Sequence, residues 1–179
     1  MSTAKQNKIA RLGKSVEDLF AYAEAMEAAA VKRYRSLAAM MQEHNNKELT
    51  ELFTRLAEIE QLHVNNVCDY SRELGVPLDA STKYVGFGLD GEEVMGFEEV
   101  HYLHLPYHTV ELAHRYEKLA ADLYTEIAQT TTSDEVRKVA EHFANDELMH
   151  MKELERWLER YPKPEEGWDE DLDPPNEAE

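Results

Sequence analysis

Four stretches of this chain repeat apolar residues every 3.6 positions, and they come as two pairs with short links inside each pair. The first runs from Ser15, a good N-cap, to His44, where Asn45 and Asn46 interrupt it; the second runs from Lys47 to Leu74 and is closed by Gly75 and Pro77. The third starts at Pro106, a favoured first helical residue, and continues to Gln129. Thr130 to Ser133 then turn the chain, Ser133 caps the fourth stretch, and Pro162 stops it after Tyr161. A short link folds each pair back on itself, so each pair is an antiparallel hairpin. The longer stretch from Val76 to Leu105 carries four glycines and an apolar run, Val94 to Leu105, that suits a short helix. Its length suits a crossover along the bundle, which predicts an all-α four-helix bundle of two hairpins joined by one long crossover.

With 179 residues, 42% of them hydrophobic, one core suffices. The bundle is expected over 15–161, preceded by a basic N-terminal segment, 1–14. It is followed by an acidic, disordered tail, 162–179, whose eight acids against one lysine give −7 and in which Trp168 hints at a docking contact. The formal charge of −18 repels phosphate backbones and anionic lipid, which excludes nucleic-acid binding and membrane-surface binding. Cys68 is the single cysteine, so an intrachain disulfide and a four-cysteine metal site are both excluded. No apolar run is long enough to span a membrane, and Met1 to Lys14 lacks the apolar segment of a secretory signal. A cytoplasmic protein is the expectation.

Glu-x-x-His places a carboxylate and an imidazole about one turn apart on one helix face, within reach of one metal ion. Chance alone gives roughly one such pair at this composition; four occur, Glu60 with His63, Glu98 with His101, Glu111 with His114, and Glu147 with His150. Position in the fold separates them. Glu60 and Glu147 lie near the midpoints of the second and fourth helices, and Glu27 and Glu117 near those of the first and third, so folding the hairpins brings all four to one height. Glu111 lies roughly 9 Å from Glu117 along the axis at 1.5 Å per residue, out of that plane. Glu98 and His101 fall in the crossover. Glu24 and His114, one turn before proposed ligands, rank as accessory.

Internal repetition gives a second argument. Each hairpin reads Glu-x-x-Ala-x-x-x-Tyr and then Glu-x-x-His: Glu27, Ala30, Tyr34, Glu60 and His63 in one, Glu117, Ala120, Tyr124, Glu147 and His150 in the other. A doubled hairpin has approximate two-fold symmetry, which predicts a two-metal site with two carboxylates and one imidazole from each half. Four buried carboxylates are neutralised by two divalent ions, whereas without them burial would force protonation. Mixed carboxylate and imidazole ligation with open positions favours iron or manganese over structural zinc, with zinc a possible substitute. Asp146, beside Glu147, is expected to hold a ligand imidazole by its second nitrogen. Tyr34 and Tyr124 are read as core residues that cap the site.

On these residues, over Ser15 to Tyr161, the chain resembles the ferritin-like di-iron proteins, and most closely the erythrin domain of rubrerythrins. The resemblance implies that Glu60 and Glu147 bridge two irons, that Glu27 and Glu117 are terminal ligands, and that His63 and His150 each cap one iron. It implies a non-haem di-iron oxidoreductase that reduces peroxide or dioxygen. The alternatives are a ferroxidase for iron storage and an oxygenase acting on an organic substrate. Two departures stand out. Rubrerythrins carry an extra carboxylate one turn after the third-helix ligand, where Ala120 stands here, and they usually carry a rubredoxin domain, for which one cysteine supplies no site. Electrons are therefore expected from an external donor such as a rubredoxin-like protein, or from ferrous iron itself, and a homodimer is the expected assembly.

Overall fold

The computed structural model describes residues 3–76, 78 and 106–165, and every regular element among them is a helix. The helices are α1 (Thr3–Leu12), α2 (Val16–Glu43), α3 (Lys47–Glu73), α4 (Pro106–Thr130) and α5 (Asp134–Leu158). The four expected helices are α2 to α5. Their starts follow from side chains that satisfy orphan amides: Ser15, Asn46 and Ser133 accept from the N–H of Asp18, Leu49 and Val136 at 3.0, 3.1 and 3.3 Å. Helix α3 ends in a left-handed turn at Gly75, with φ 68°, and Val76 N–H returns to the Ser71 carbonyl at 2.9 Å.

Helix α2 packs along α3 and α4 along α5, giving the two predicted hairpins. Across the hairpins, α3 faces α5 through the rings of His63 and His150, and α2 faces α4 through Tyr34 and Glu117. The buried apolar residues form two clusters. One, at the end where α2 begins, contains Leu19, Phe20, Tyr22, Leu123, Tyr124, Ile127 and Phe143; the other, toward the far end, contains Tyr34, Leu37, Met41, Phe53, Leu56 and Leu154. Five buried polar residues, Glu27, Glu60, Glu117, Glu147 and His150, interrupt the core between the clusters. Burying a large apolar side chain contributes about 1.5–3 kcal/mol, so each cluster offsets a substantial polar cost between them.

The N-terminal segment, read from sequence only as basic, adds a helix. Ile9 and Leu12 of α1 enter the first cluster, and the Thr131 hydroxyl donates to the Gly13 carbonyl at 2.6 Å, tying α1 to the α4–α5 turn. Its two large apolar residues lie three positions apart, too short a pattern for periodicity to register. The expected short helix at 94–105, Glu98, His101 and residues 166–179 with Trp168 lie outside the described residues. Among the described residues no helix is long and apolar enough to cross a membrane.

Candidate metal centre

Helical spacing aims the six expected ligands inward. On α3, Glu60 and His63 are one turn apart; on α5, Glu147 and His150 repeat that spacing, while α2 and α4 each bring one glutamate. The structure joins all six in one run of contacts. His63 Nδ1 lies 3.8 Å from Glu27 and 3.4 Å from Glu60. His150 Nδ1 lies 3.0 Å from Glu60, 3.2 Å from Glu117 and 3.7 Å from Glu147. The two imidazoles stack with centroids 5.1 Å apart and planes 9° from parallel. Donor atoms of Glu60, His63 and His150, and again of Glu117, Glu147 and His150, lie within 4.8 Å of one another, so each triplet could hold a cation.

The electrostatics describe a site that demands positive charge. Burial pushes Glu27 up to about 8, against the pull of His63 and with the push of the Glu60 charge. Burial also holds Glu147 well above the usual carboxylate range, helped by the charges of Glu117 and Glu27. Burial opposes the charge on Glu60 too, but His150 and His63 outweigh it and hold that carboxyl below its ordinary value. In the same way, burial would depress His63, yet Glu27 and Glu60 push it up to about 10, and Glu117, Glu147 and Glu60 raise His150 further. Protons here do the work that cations would otherwise do.

Among the described residues neither oxygen of Glu60 accepts a well-aligned hydrogen bond, although its side chain is 1% exposed and the two imidazole nitrogens lie 3.0 and 3.4 Å away. A buried carboxylate in that condition is costly unless something else takes its lone pairs. Two divalent ions would neutralise the four carboxylates and occupy those lone pairs, so the donor set fits a di-metal group.

The two repeat tyrosines differ. The Tyr34 hydroxyl donates to Glu117 Oε1, and its ring stacks on Phe53 with centroids 6.0 Å apart. Tyr124 is equally buried, near the charges of Glu27 and Glu147, yet its hydroxyl has no hydrogen-bond partner among the described residues. Burial, then the neighbouring carboxylates, raises both phenols well above their usual range.

Asp146 departs from expectation. Its carboxylate faces His142 Nε2 at 3.6 Å, one turn back on α5, and not a ligand imidazole. One residue before Glu147, it is rotated about 100° from the inward face, which leaves it on the side of the helix that His142 shares. The i,i+4 spacing of His142 and Asp146 was the available signal for this pair. Of the other Glu-x-x-His pairs only Glu111 and His114 are described, and both lie off the site: Glu111 is exposed and accepts from the Tyr107 hydroxyl at 3.2 Å, and His114 faces Glu155 at 3.4 Å.

A family model described as rubrerythrin matches residues 18–158. A crystal structure of an uncharacterized conserved protein from Magnetospirillum magnetotacticum MS-1 is similar with a TM-score of 0.70 and 28% sequence identity, covering 84% of this chain and 98% of that one. No curated protein matches.

Proposed function

The chain belongs to the rubrerythrin family of ferritin-like di-iron proteins, and on that footing we propose that it is a cytoplasmic, homodimeric oxidoreductase that reduces peroxide at a di-iron centre. The observation that carries this reading is the buried Glu60 carboxylate, set between two imidazoles at 3.0 and 3.4 Å with neither oxygen in a well-aligned hydrogen bond among the described residues. Glu27, Glu60 and His63 from one hairpin and Glu117, Glu147 and His150 from the other would hold two irons, with Glu60 and Glu147 shared. Iron bound there supplies Lewis acidity and two electrons for splitting an O–O bond.

The remaining work belongs to the chain. Tyr34 fixes the orientation of Glu117 by its hydrogen bond, and the stack on Phe53 fixes Tyr34 in turn. His63, with 17% of its side chain exposed, is the most accessible of the six residues and marks the side from which a small oxidant and protons enter. A peroxide molecule needs little room. The cavity lined by Thr125, Gln129, Arg137 and Leu148, and the one lined by Gln6, Ile9 and Thr131, both lie away from the six residues.

Metal analysis combined with stopped-flow spectra of the anaerobically reduced protein tests this. About one equivalent of peroxide should be consumed, faster than dioxygen. Uptake of tens of ferrous ions per chain with deposition of a ferric mineral would replace the reading with ferroxidase storage.

A further inference from the structure

On α5 three residues with metal-binding side chains recur at four-residue spacing: His142, Asp146 and His150. Four residues advance a helix by about 6 Å and turn it by about 40°, so the three form one slanting stripe. Exposure falls along it, from 49% for the His142 side chain through 23% for Asp146 to 7% for His150. The outer two already converge, with His142 Nε2 3.6 Å from Asp146 Oδ2. Two donors each about 2.1 Å from one cation stand about 3–3.5 Å apart, so a small closure lets both hold one ion. The inner end of the stripe is the candidate centre itself, because His150 lies among Glu60, Glu117 and Glu147.

The stripe borders the seam between α3 and α5. These helices meet through side chains, Arg55 with Glu153, His63 with His150 and Tyr70 with His142, rather than through the extended contact that joins each hairpin. The Tyr70 ring stands edge-on to the His142 ring with centroids 5.8 Å apart, which ties the outer end of the stripe to α3. The internal repeat supplies a comparison. Steps of four and eight residues back from His150 reach Asp146 and His142, whereas the same steps back from His63 reach Ile59 and Arg55. The α3 stripe thus carries an apolar residue and then a cation, paired with Glu153. Only the α5 stripe offers donors along its whole length.

We propose that His142 and Asp146 form the entry site for divalent cations, from which an ion passes along the stripe to His150 and so into the two-metal centre. This route presupposes the two-metal reading of the six residues but not peroxide chemistry. The formal charge of −18 draws cations to the surface of the chain. An imidazole with a carboxylate suits borderline divalent ions, and two protein donors hold an ion too weakly to retain it, which is what transfer requires. The step from Asp146 to His150 is about 6 Å along the axis, a distance that side-chain rotation covers. At the far end of the seam the Arg55 guanidinium repels an incoming ion, so the seam admits cations from the His142 end.

Mixing the full-length, metal-free chain with cobalt(II) in stopped flow tests this, with uptake read from the visible bands of bound cobalt and the ions counted after desalting. In wild type the rate should level off as cobalt rises, because ions fill the entry site before moving inward. His142→Ala with Asp146→Asn should slow uptake about tenfold at low cobalt and make the rate climb linearly, while two ions are still bound at the end. Tyr70→Ala, which frees the His142 ring, should slow it about threefold. Glu155→Gln removes a carboxylate from the flank of α5 that faces α4 and should change the rate by less than about twofold. Far-ultraviolet circular dichroism verifies that the variants are folded. An unchanged rate in the folded double variant overturns the proposal, and so does equal slowing by Glu155→Gln, which would make the effect one of net charge. Weaker equilibrium affinity at an unchanged rate also overturns it and assigns Asp146 to steadying a ligand imidazole. A wild type that binds no cobalt removes the two-metal reading and the entry route with it.

Discussion

Tyr34 and Tyr124 occupy the same place in the internal repeat, and removing each hydroxyl should have opposite consequences in the metal-free protein. Tyr34→Phe deletes a buried hydrogen bond that joins α2 to α4 and leaves Glu117 Oε1 without its donor. Such a bond to a carboxylate contributes about 1.5–3 kcal/mol. The ring itself stays buried against Phe53, so no cavity term is added. Tyr124→Phe deletes a hydroxyl that is buried with no partner, so the change relieves a desolvation penalty and should be neutral or stabilising by up to about 1 kcal/mol. For a chain of this size 1 kcal/mol moves the melting midpoint by about 2–4 °C. Tyr34→Phe should therefore melt about 3–12 °C below wild type, while Tyr124→Phe melts at or slightly above it. Denaturant unfolding of both chelated variants at one pH measures the difference, which should be about 1.5–4 kcal/mol. Equal destabilisation by the two substitutions would refute the asymmetry.

Further expectations concern metal, decoys, pH and the first helix. Two metal ions should bind per chain, and Glu60→Ala or Glu147→Ala should each lose both by elemental analysis; retention of two ions after either change defeats the bridging assignment. Glu111→Ala and His114→Ala should keep the full metal content, as should Glu98→Ala and His101→Ala, and a loss in any of them would mean that the register is wrong. Between pH 4.5 and about 8 folded Glu27 keeps a proton that the unfolded chain has released, and between 6.5 and about 10 His63 does the same. The metal-free protein should accordingly lose stability as pH rises from about 5 to 9, and a midpoint that climbs over that range contradicts the shifts. Leu12→Ala empties a fully buried position where α1 meets the core and should cost about 2–5 kcal/mol in denaturant unfolding without altering metal content.

The helices and the hairpin topology were legible from local rules. Apolar periodicity marked α2 to α5, Ser15 and Ser133 supplied side-chain oxygens where amides are orphaned, and Gly75 closed α3, whereas Asn46, read only as an interruption, proved to be the cap of α3. The six residues of the candidate centre were legible for the same reason, because one-turn spacing and a common height along antiparallel helices are properties of the chain alone. Helix α1 escaped notice because a helix of ten residues owes its place to docking rather than to its own pattern.

The sequence by itself determined which residues repeat and at what height they meet: Glu27 with Tyr34, Glu117 with Tyr124, Glu60 with His63, Glu147 with His150. Only the tertiary structure decided which of two like tyrosines reaches a carboxylate, that His150 stands among three glutamates while His63 stands beside two, and that Asp146 turns to His142. Spacing along one helix is set by covalent geometry and repeats faithfully. Distances between helices are set by how whole faces pack, and a two-fold repeat with unlike residues at equivalent positions, such as Ile59 before Glu60 and Asp146 before Glu147, packs its two halves differently.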